Sequence, residues 1–223
     1  DFEEIGSELV TNGDFEEIGS ELVTNGNFDT DSDWTLTANV AISGGKLNFT
    51  NATTNSNFAQ QVIVAPIGKT YKITLEVSNL GSGQSIKIRH PYQDTTINSN
   101  GLHTVYGVGD IANFFRITPN SSTATFSIDN VSVKEVGQNW SLGTGWSMGD
   151  GKAVCDGTQS GFVTINQSSV VSLSKIYKVT FKLVVEAGSI RPEVGSSGLG
   201  TFINSSGTFT QYIKQAGNTT LYF

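Results

Sequence analysis

The chain has 223 residues, of which 37% are hydrophobic, 10% aromatic and only 15% charged, and its net charge is −7. That length allows one large β domain or two of ordinary size, while the acidic balance excludes a surface that draws in a nucleic-acid backbone or an anionic membrane. A single cysteine, Cys155, rules out an internal disulfide, and no apolar run approaches the roughly 18–20 residues of a membrane-spanning helix.

The first element is written twice. Asp1–Gly13 and Asp14–Gly26 are both DFEEIGSELVTNG, and Asn27-Phe28-Asp29 begins a third echo. No charged-then-apolar leader pattern is present in this stretch. After it, short segments alternate apolar and polar residues or run almost continuously apolar: KITLEV from Lys72, SIKIRH from Ser85, HTVYGV from His103, FFRI from Phe114, TATFSIDNVSV from Thr123, KVTFKLVV from Lys178, TFTQYI from Thr208 and TLYF from Thr220. Period-two segments of this length are strands. The stretches SGG, LGSG, NSNG, GDG and NSSG supply the turns between them. No window carries a helical period. Short strands at regular spacing predict an all-β chain of the sandwich or jelly-roll kind.

Shifted by 106 residues, the chain falls on itself. DWTLTANVAISGGKLNFT from Asp33 lies on NWSLGTGWSMGDGKAVCD from Asn139, and TINSNGLHTVY from Thr96 lies on FINSSGTFTQY from Phe202. Trp34 pairs with Trp140, Tyr71 with Tyr177 and Tyr106 with Tyr212. Two tandem domains are expected, at 27–136 and 137–223, preceded by an N-terminal arm over 1–26 whose second copy merges into the first strand of domain 1. The second domain is short at both ends: nothing in it corresponds to TATFSIDNVSV, and only Gly137-Gln138-Asn139 precedes Trp140. Domain 1 needs one ELVTNG strand, so the first copy is spare. A spare strand and an open sheet edge in one chain predict strand donation between subunits, with Phe2, Ile5, Leu9 and Val10 as the apolar residues of the arm. A slipped duplication or a passive tail is the alternative.

The stretches ELVTNGNFDTDSDW, GTGWSMGDGKAVCDGTQSG, YKVTFKL and IDNVSVKEV resemble the carbohydrate-binding-module-like jelly rolls of the galactose-binding-like superfamily. Within that group they are similar to tandem copies in bacteriophage fibre and capsid-decoration proteins and in bacterial surface proteins. The resemblance implies two tandem jelly-roll β-sandwiches that pack into an assembly, bind glycans, or do both. Some members of the fold hold a structural calcium ion between the opening and closing strands. The positions that match in domain 1 are Asp29 and Asp129, and a solvated acidic loop is the other reading of Asp29, Asp31 and Asp33. No other cofactor is implied.

Trp34, Trp140, Tyr106 and Tyr212 recur in both copies and are assigned to packing, as are Trp146 and Cys155, which align with Val40 and Phe49. The glycan-binding candidates lie in IRHPYQDTTINSN, read as a polar loop: Arg89, His90, Tyr92, Gln93 and Asp94. Neither histidine has a second at zinc spacing, and no G-x-S-x-G, H-E-x-x-H, phosphate-loop or dinucleotide pattern occurs. The sequence therefore predicts a non-enzymatic protein with no catalytic residues, found on a virion or outside a cell. Its expected partners are copies of itself, other virion proteins or cell-surface glycans, with no nucleic acid and no membrane insertion. The leading expectation is a phage fibre or capsid-decoration protein. A carbohydrate-binding module of a bacterial surface or secreted protein, or a filament subunit that polymerises by strand exchange, is the alternative.

Overall fold

The computed structural model describes residues 5–16, 18–66, 69–90, 93–109 and 114–223, apart from the side chains of His90 and Gln93. Among them no helix occurs, and every strand pairing is antiparallel. The chain divides into two units, residues 16–137 and residues 1–15 with 138–223.

In the first unit, β1 (Ile18–Glu21), β2 (Thr35–Leu36), β3 (Val40–Ser43), β4 (Lys46–Ala52), β5 (Ala59–Val62), β6 (Thr70–Ser78), β7 (Ile86–His90), β8 (Gln93–Ile97), β9 (Gly101–Val108), β10 (Phe114–Pro119) and β11 (Ala124–Val136) form two sheets. One runs β3-β4-β11-β6-β9 with β1 also on β11; the other runs β2-β5-β10-β7-β8. The inward residues follow from the period of two. Leu47 and Phe49 of β4, Ile73 and Leu75 of β6, and Phe126 and Ile128 of β11 meet Ile86, Ile88, Phe115 and Ile117 of the other sheet in one buried cluster. Phe49 and Phe126 stack at 4.4 Å. The sandwich expected from the sequence is thus the observed architecture.

β11 is the organising strand, and it carries a bulge. Asp129 faces Glu76 and Ser132 faces Thr74, so the strand spends one residue more than its partner. Asn130 takes φ 52° there, which Asn tolerates better than most residues. The extra residue changes the inward set from even to odd numbers: Phe126 and Ile128 before it, Val131 and Val133 after it, are all buried. Past the bulge β11 also binds the opening segment. The Val131 amide donates to the Gly26 carbonyl (2.8 Å) and the Leu22 amide to the Val133 carbonyl (2.9 Å). Glu21 accepts from the Val133 amide (2.7 Å) and the Ser132 hydroxyl (2.6 Å).

The second unit repeats this plan with β12 (Ser141–Leu142), β13 (Trp146–Gly149), β14 (Lys152–Cys155), β15 (Ile165–Gln167), β16 (Ile176–Leu183), β17 (Glu193–Val194), β18 (Gly207–Lys214) and β19 (Leu221–Tyr222). Its sheet β12-β15-β19-β17 matches β2-β5-β10-β7. Its other strands stand as two separate pairs, β13-β14 and β16-β18, the counterparts of β3-β4 and β6-β9. In the first unit β11 lies between those pairs; no strand of the second unit does so among the described residues.

The duplicated opening finds its place here, and the expected boundaries are corrected. The first copy is no free arm: it packs with 138–223 as the second copy packs with 27–137. Thr11 and Gln167 exchange two hydrogen bonds, amide to side-chain oxygen (2.9 Å) and side-chain amide to carbonyl (2.8 Å). Thr24 and Gln61 do the same at 2.7 and 2.8 Å. The Trp140 indole donates to the Asn12 carbonyl (3.0 Å), as Trp34 donates to Asn25 (3.2 Å). Phe15 sits 5.3 Å from Trp140, as Phe28 sits 5.3 Å from Trp34. Both glutamines are buried, so each amide needs the opening backbone as its partner. The segment 8–15 therefore fills within its own chain the slot that donation was expected to serve. Of the arm residues, Ile5 and Leu9 stay exposed, Val10 is half-buried, and Phe2 lies outside the described residues.

Two packing assignments are also corrected. Trp34 and Trp140 are buried as expected, but Tyr212 and Cys155 are exposed. Phe49, the counterpart of Cys155, is buried against β11, and the second unit gives Cys155 no such cover.

Two predictions follow from these contacts. A Cβ on Gly26 would stand 2.0 Å from the Val131 carbonyl oxygen, whereas one on Gly13 would meet only the Val10 side chain, at 3.3 Å. Gly26→Ala should cost about 2–4 kcal/mol in urea unfolding and Gly13→Ala less than about 0.5 kcal/mol. Tyr71 is buried beside Glu135, and burial first, then that carboxylate, push its phenol up to about 12 from 10.0. The unfolded chain ionises first, so stability is whole below pH 10 and falls as pH rises toward 12. Tyr71→Phe should lessen that alkaline loss by about 2–3 kcal/mol in unfolding curves measured between those limits.

Candidate functional site

The outer face of the β2-β5-β10-β7-β8 sheet carries the chemistry. Alternation decides which side chains reach it. In β10, Phe115, Ile117 and Pro119 are buried, which leaves Phe114, Arg116 and Thr118 outward. In β7, Ile86 and Ile88 are buried, which leaves Lys87 and Arg89 outward. Register then lines these residues up across the sheet. Thr35 faces Gln60, Gln60 faces Arg116, Arg116 faces Arg89, and Arg89 faces Asp94. One polar rung thus crosses all five strands, a span of roughly 19 Å at ordinary strand spacing.

Its centre is Arg116. The guanidinium lies 4.2 Å from the centroid of the Phe58 ring and 4.8 Å from that of Phe114. Its Nε donates to Gln60 Oε1 at 2.9 Å. Ring faces and one amide oxygen hold the group in place, but no carboxylate neutralises it. Burial first, then the Arg89 charge, pull its acidity constant below the ordinary arginine value. At the edge, Arg89 Nε donates to Asp94 Oδ1 (2.9 Å), and Lys87 Nζ stands 3.1 Å from Asp94 Oδ2. The Arg89 hydrogen bond holds the Asp94 carboxyl below its usual range against the effect of burial, with Lys87 adding to it. Three cations therefore share one carboxylate on this face, in a chain whose net charge is −7. Between them lies a shallow depression of about 90 Å³, lined by Thr54, Asn55, Phe58, Lys87, Arg89, Arg116, Thr118 and Pro119.

The stretch expected to be a polar loop is instead the β7-β8 pair, in register from Ile86 opposite Ile97 to His90 opposite Gln93. Buried Ile86, Ile88 and Ile97 draw both strands onto the core. Of the five residues expected to bind glycan, the structure joins Arg89 to Asp94. Tyr92 and the side chains of His90 and Gln93 lie outside the described residues. The sequence reading missed Arg116, Lys87, Gln60, Phe58 and Phe114. The signal was there: SIKIRH and FFRI place cations at every second position between buried apolar residues.

The pair expected near calcium is engaged separately. Asp29 accepts from the Asn27 side chain and Asp129 from the Asn130 amide (2.7 Å). Among the described residues no three His, Cys, Asp or Glu side chains gather to hold a metal.

The second unit has the same rung with other residues: Ser141 faces Asn166, Asn166 faces Tyr222, and Tyr222 faces Glu193. Arg191 is paired with Glu193 at 2.7 Å. Here the cation is neutralised, so the two units offer different surfaces.

No family model and no curated protein sequence matches the chain. Among solved structures it is similar to a family 4 carbohydrate-binding module, at 18% identity over 51% of this chain and 99% of that one, with a TM-score of 0.40. The tandem CBM22-1–CBM22-2 of Paenibacillus barcinonensis Xyn10C is 13% identical over 92% of this chain and 89% of that one (TM-score 0.36). The enzymatically active domain of tailspike protein 4 of bacteriophage CBA120 is 17% identical over 52% of this chain and 21% of that one (TM-score 0.34).

Proposed function

We propose that the chain is a glycan-binding protein whose first unit takes an acidic polysaccharide across the outer face of the β2-β5-β10-β7-β8 sheet. The observation that carries this reading is the rung Thr35–Gln60–Arg116–Arg89–Asp94, with Lys87 beside it. A sugar ring presents an apolar face and a rim of hydroxyls. Phe58 and Phe114 supply apolar surface, Gln60 and Asp94 take hydroxyls, and Arg116 meets a carboxylate or sulfate. The rung is open along its length, which suits a polymer threaded over the sheet rather than a small molecule enclosed in a pocket. His90, Tyr92 and Gln93 extend the same strand pair and are proposed as further contacts. The protein binds without turning over its ligand. A setting on a virion or at a cell exterior, the one expected from the sequence, is where such polymers are met.

The test is a comparison of polymers by affinity electrophoresis and calorimetry. A polyuronate should bind and a neutral galactan or xylan should not, and binding should weaken steadily as salt rises. Arg116→Ala should lower polyuronate affinity at least about tenfold, the scale of a lost charge-assisted contact. Equal binding of neutral polymers, or an Arg116→Ala variant that binds as well as the parent, overturns the proposal.

A further inference from the structure

The second unit presents three walls that in the first unit belong to β11. β4 pairs with β3 on one side and β11 on the other, while β14 pairs with β13 alone among the described residues. β6 lies between β11 and β9, while β16 pairs with β18 alone. The opening segment forms the third wall. Glu8 accepts from the Leu9 and Val10 amides at 3.0 and 2.9 Å, as Glu21 accepts from Leu22 and Val23, both at 3.1 Å. Glu21, however, also accepts from Ser132 and Val133 of β11.

Burial agrees with this picture. Leu75 and Val77 of β6 are fully buried, whereas their counterparts Phe181 and Leu183 of β16 are only partly covered. Leu22 is half-buried against the first core, whereas Leu9 is 46% exposed. Gly26 has the Val131 carbonyl at its Cα, and Gly13 has open space there. Leu47 and Phe49 are replaced by the smaller Ala153 and Cys155, which leaves room for apolar side chains arriving from a new strand.

We propose that the second unit is a strand acceptor: an extended segment donated by another protein chain, with the apolar spacing of Ala124–Val136, enters between β14 and β16 and joins them into one sheet. The register is set by the first unit. The donor residue in the place of Phe126 falls opposite Cys155, that of Ile128 opposite Ala153, and that of Val133 opposite Val179. A bulge after the Asp129 position sets the next amide on the Gly13 carbonyl, and Glu8 takes the amide and hydroxyl that Glu21 takes from β11. Main-chain bonds to two strand edges hold the donor, and the apolar spacing selects it. A second copy of this chain is a poor donor, because its own β11 is buried in its first unit.

The experiment uses the full chain and a labelled synthetic peptide of residues 123–136, TATFSIDNVSVKEV. A control peptide carries serine in place of Phe126, Ile128, Val131 and Val133. The first peptide should bind one to one by fluorescence anisotropy, and the control should not. Binding should slow amide exchange at least about tenfold in Lys152–Cys155 and Ile176–Leu183. It should also slow the reaction of the exposed Cys155 thiol with a disulfide reagent by a similar factor. Gly13→Ala should keep the melting temperature of the free chain and lose at least tenfold in peptide affinity, because its Cβ meets the donor's carbonyl. No binding, equal binding of the control, or protection confined to β4 and β6 overturns the proposal. Self-association of the chain that the peptide dissolves overturns the choice of donor and makes a second copy the occupant.

Discussion

Everything in this protein turns on where the backbone hydrogen bonds of one strand go. β11 satisfies β4 on one edge and β6 on the other, and after its bulge it also holds the opening segment. A backbone polar group buried without a partner is costly, so a strand at the centre of a sheet fixes the position of everything beside it. The first unit has that strand and a single apolar cluster spanning both sheets. The second unit has the same neighbours without it. Its core is correspondingly thinner, built around Trp140, Met148, Ile165, Val179, Val194, Ile213 and Leu221.

The opening segment shows how specific such pairing is. A buried glutamine in each unit, Gln61 or Gln167, bonds to both polar groups of a threonine backbone, and a tryptophan bonds to the next carbonyl. Asn12 and Asn25 take φ 52° and 51°, and Phe15 and Phe28 take 59° and 54°. Phenylalanine rarely adopts such a conformation, and here the tilted contact with tryptophan holds it in place. Identical segments reach identical geometries because each meets an identical receiving set. The duplication therefore serves both units, although the first copy stands far from its receiver in sequence.

The two sheets of the first unit divide the work. One is closed by β11 and carries the core. The other offers its outer face to solvent, with cations at every second residue of β7 and at Arg116. A flat row of outward side chains on a rigid sheet is preorganised, because the core residues between them fix each strand's register. In the second unit the matching rung, Ser141–Asn166–Tyr222–Glu193, keeps the geometry and changes the charge. The same scaffold thus supports different surfaces, as expected where a site is built on exposed positions of a fold.

Much of this was legible in the sequence, and for a physical reason. Alternation along KITLEV or FFRI is a local property that dictates strand and face together. The constant spacing of Trp34 and Trp140, or Tyr71 and Tyr177, announces a repeated unit. The lack of a β11 counterpart in the second unit was also plain from alignment alone. What the sequence could not decide were pairings between distant segments. Arg116 becomes a site residue only because register sets it beside Gln60 and Arg89. IRHPYQDTTIN looked like a loop because its polar residues dominate locally, yet buried Ile86, Ile88 and Ile97 make it two strands. Cys155 looked like a core residue because Phe49 is one, and its exposure depends on a neighbour that only the sheet order reveals. The spare strand was a donor in sequence terms and proved to be a native part of its own chain. Local pattern determined which residues are strands and which side they face; long-range hydrogen bonding, which no local window contains, decided which strands meet.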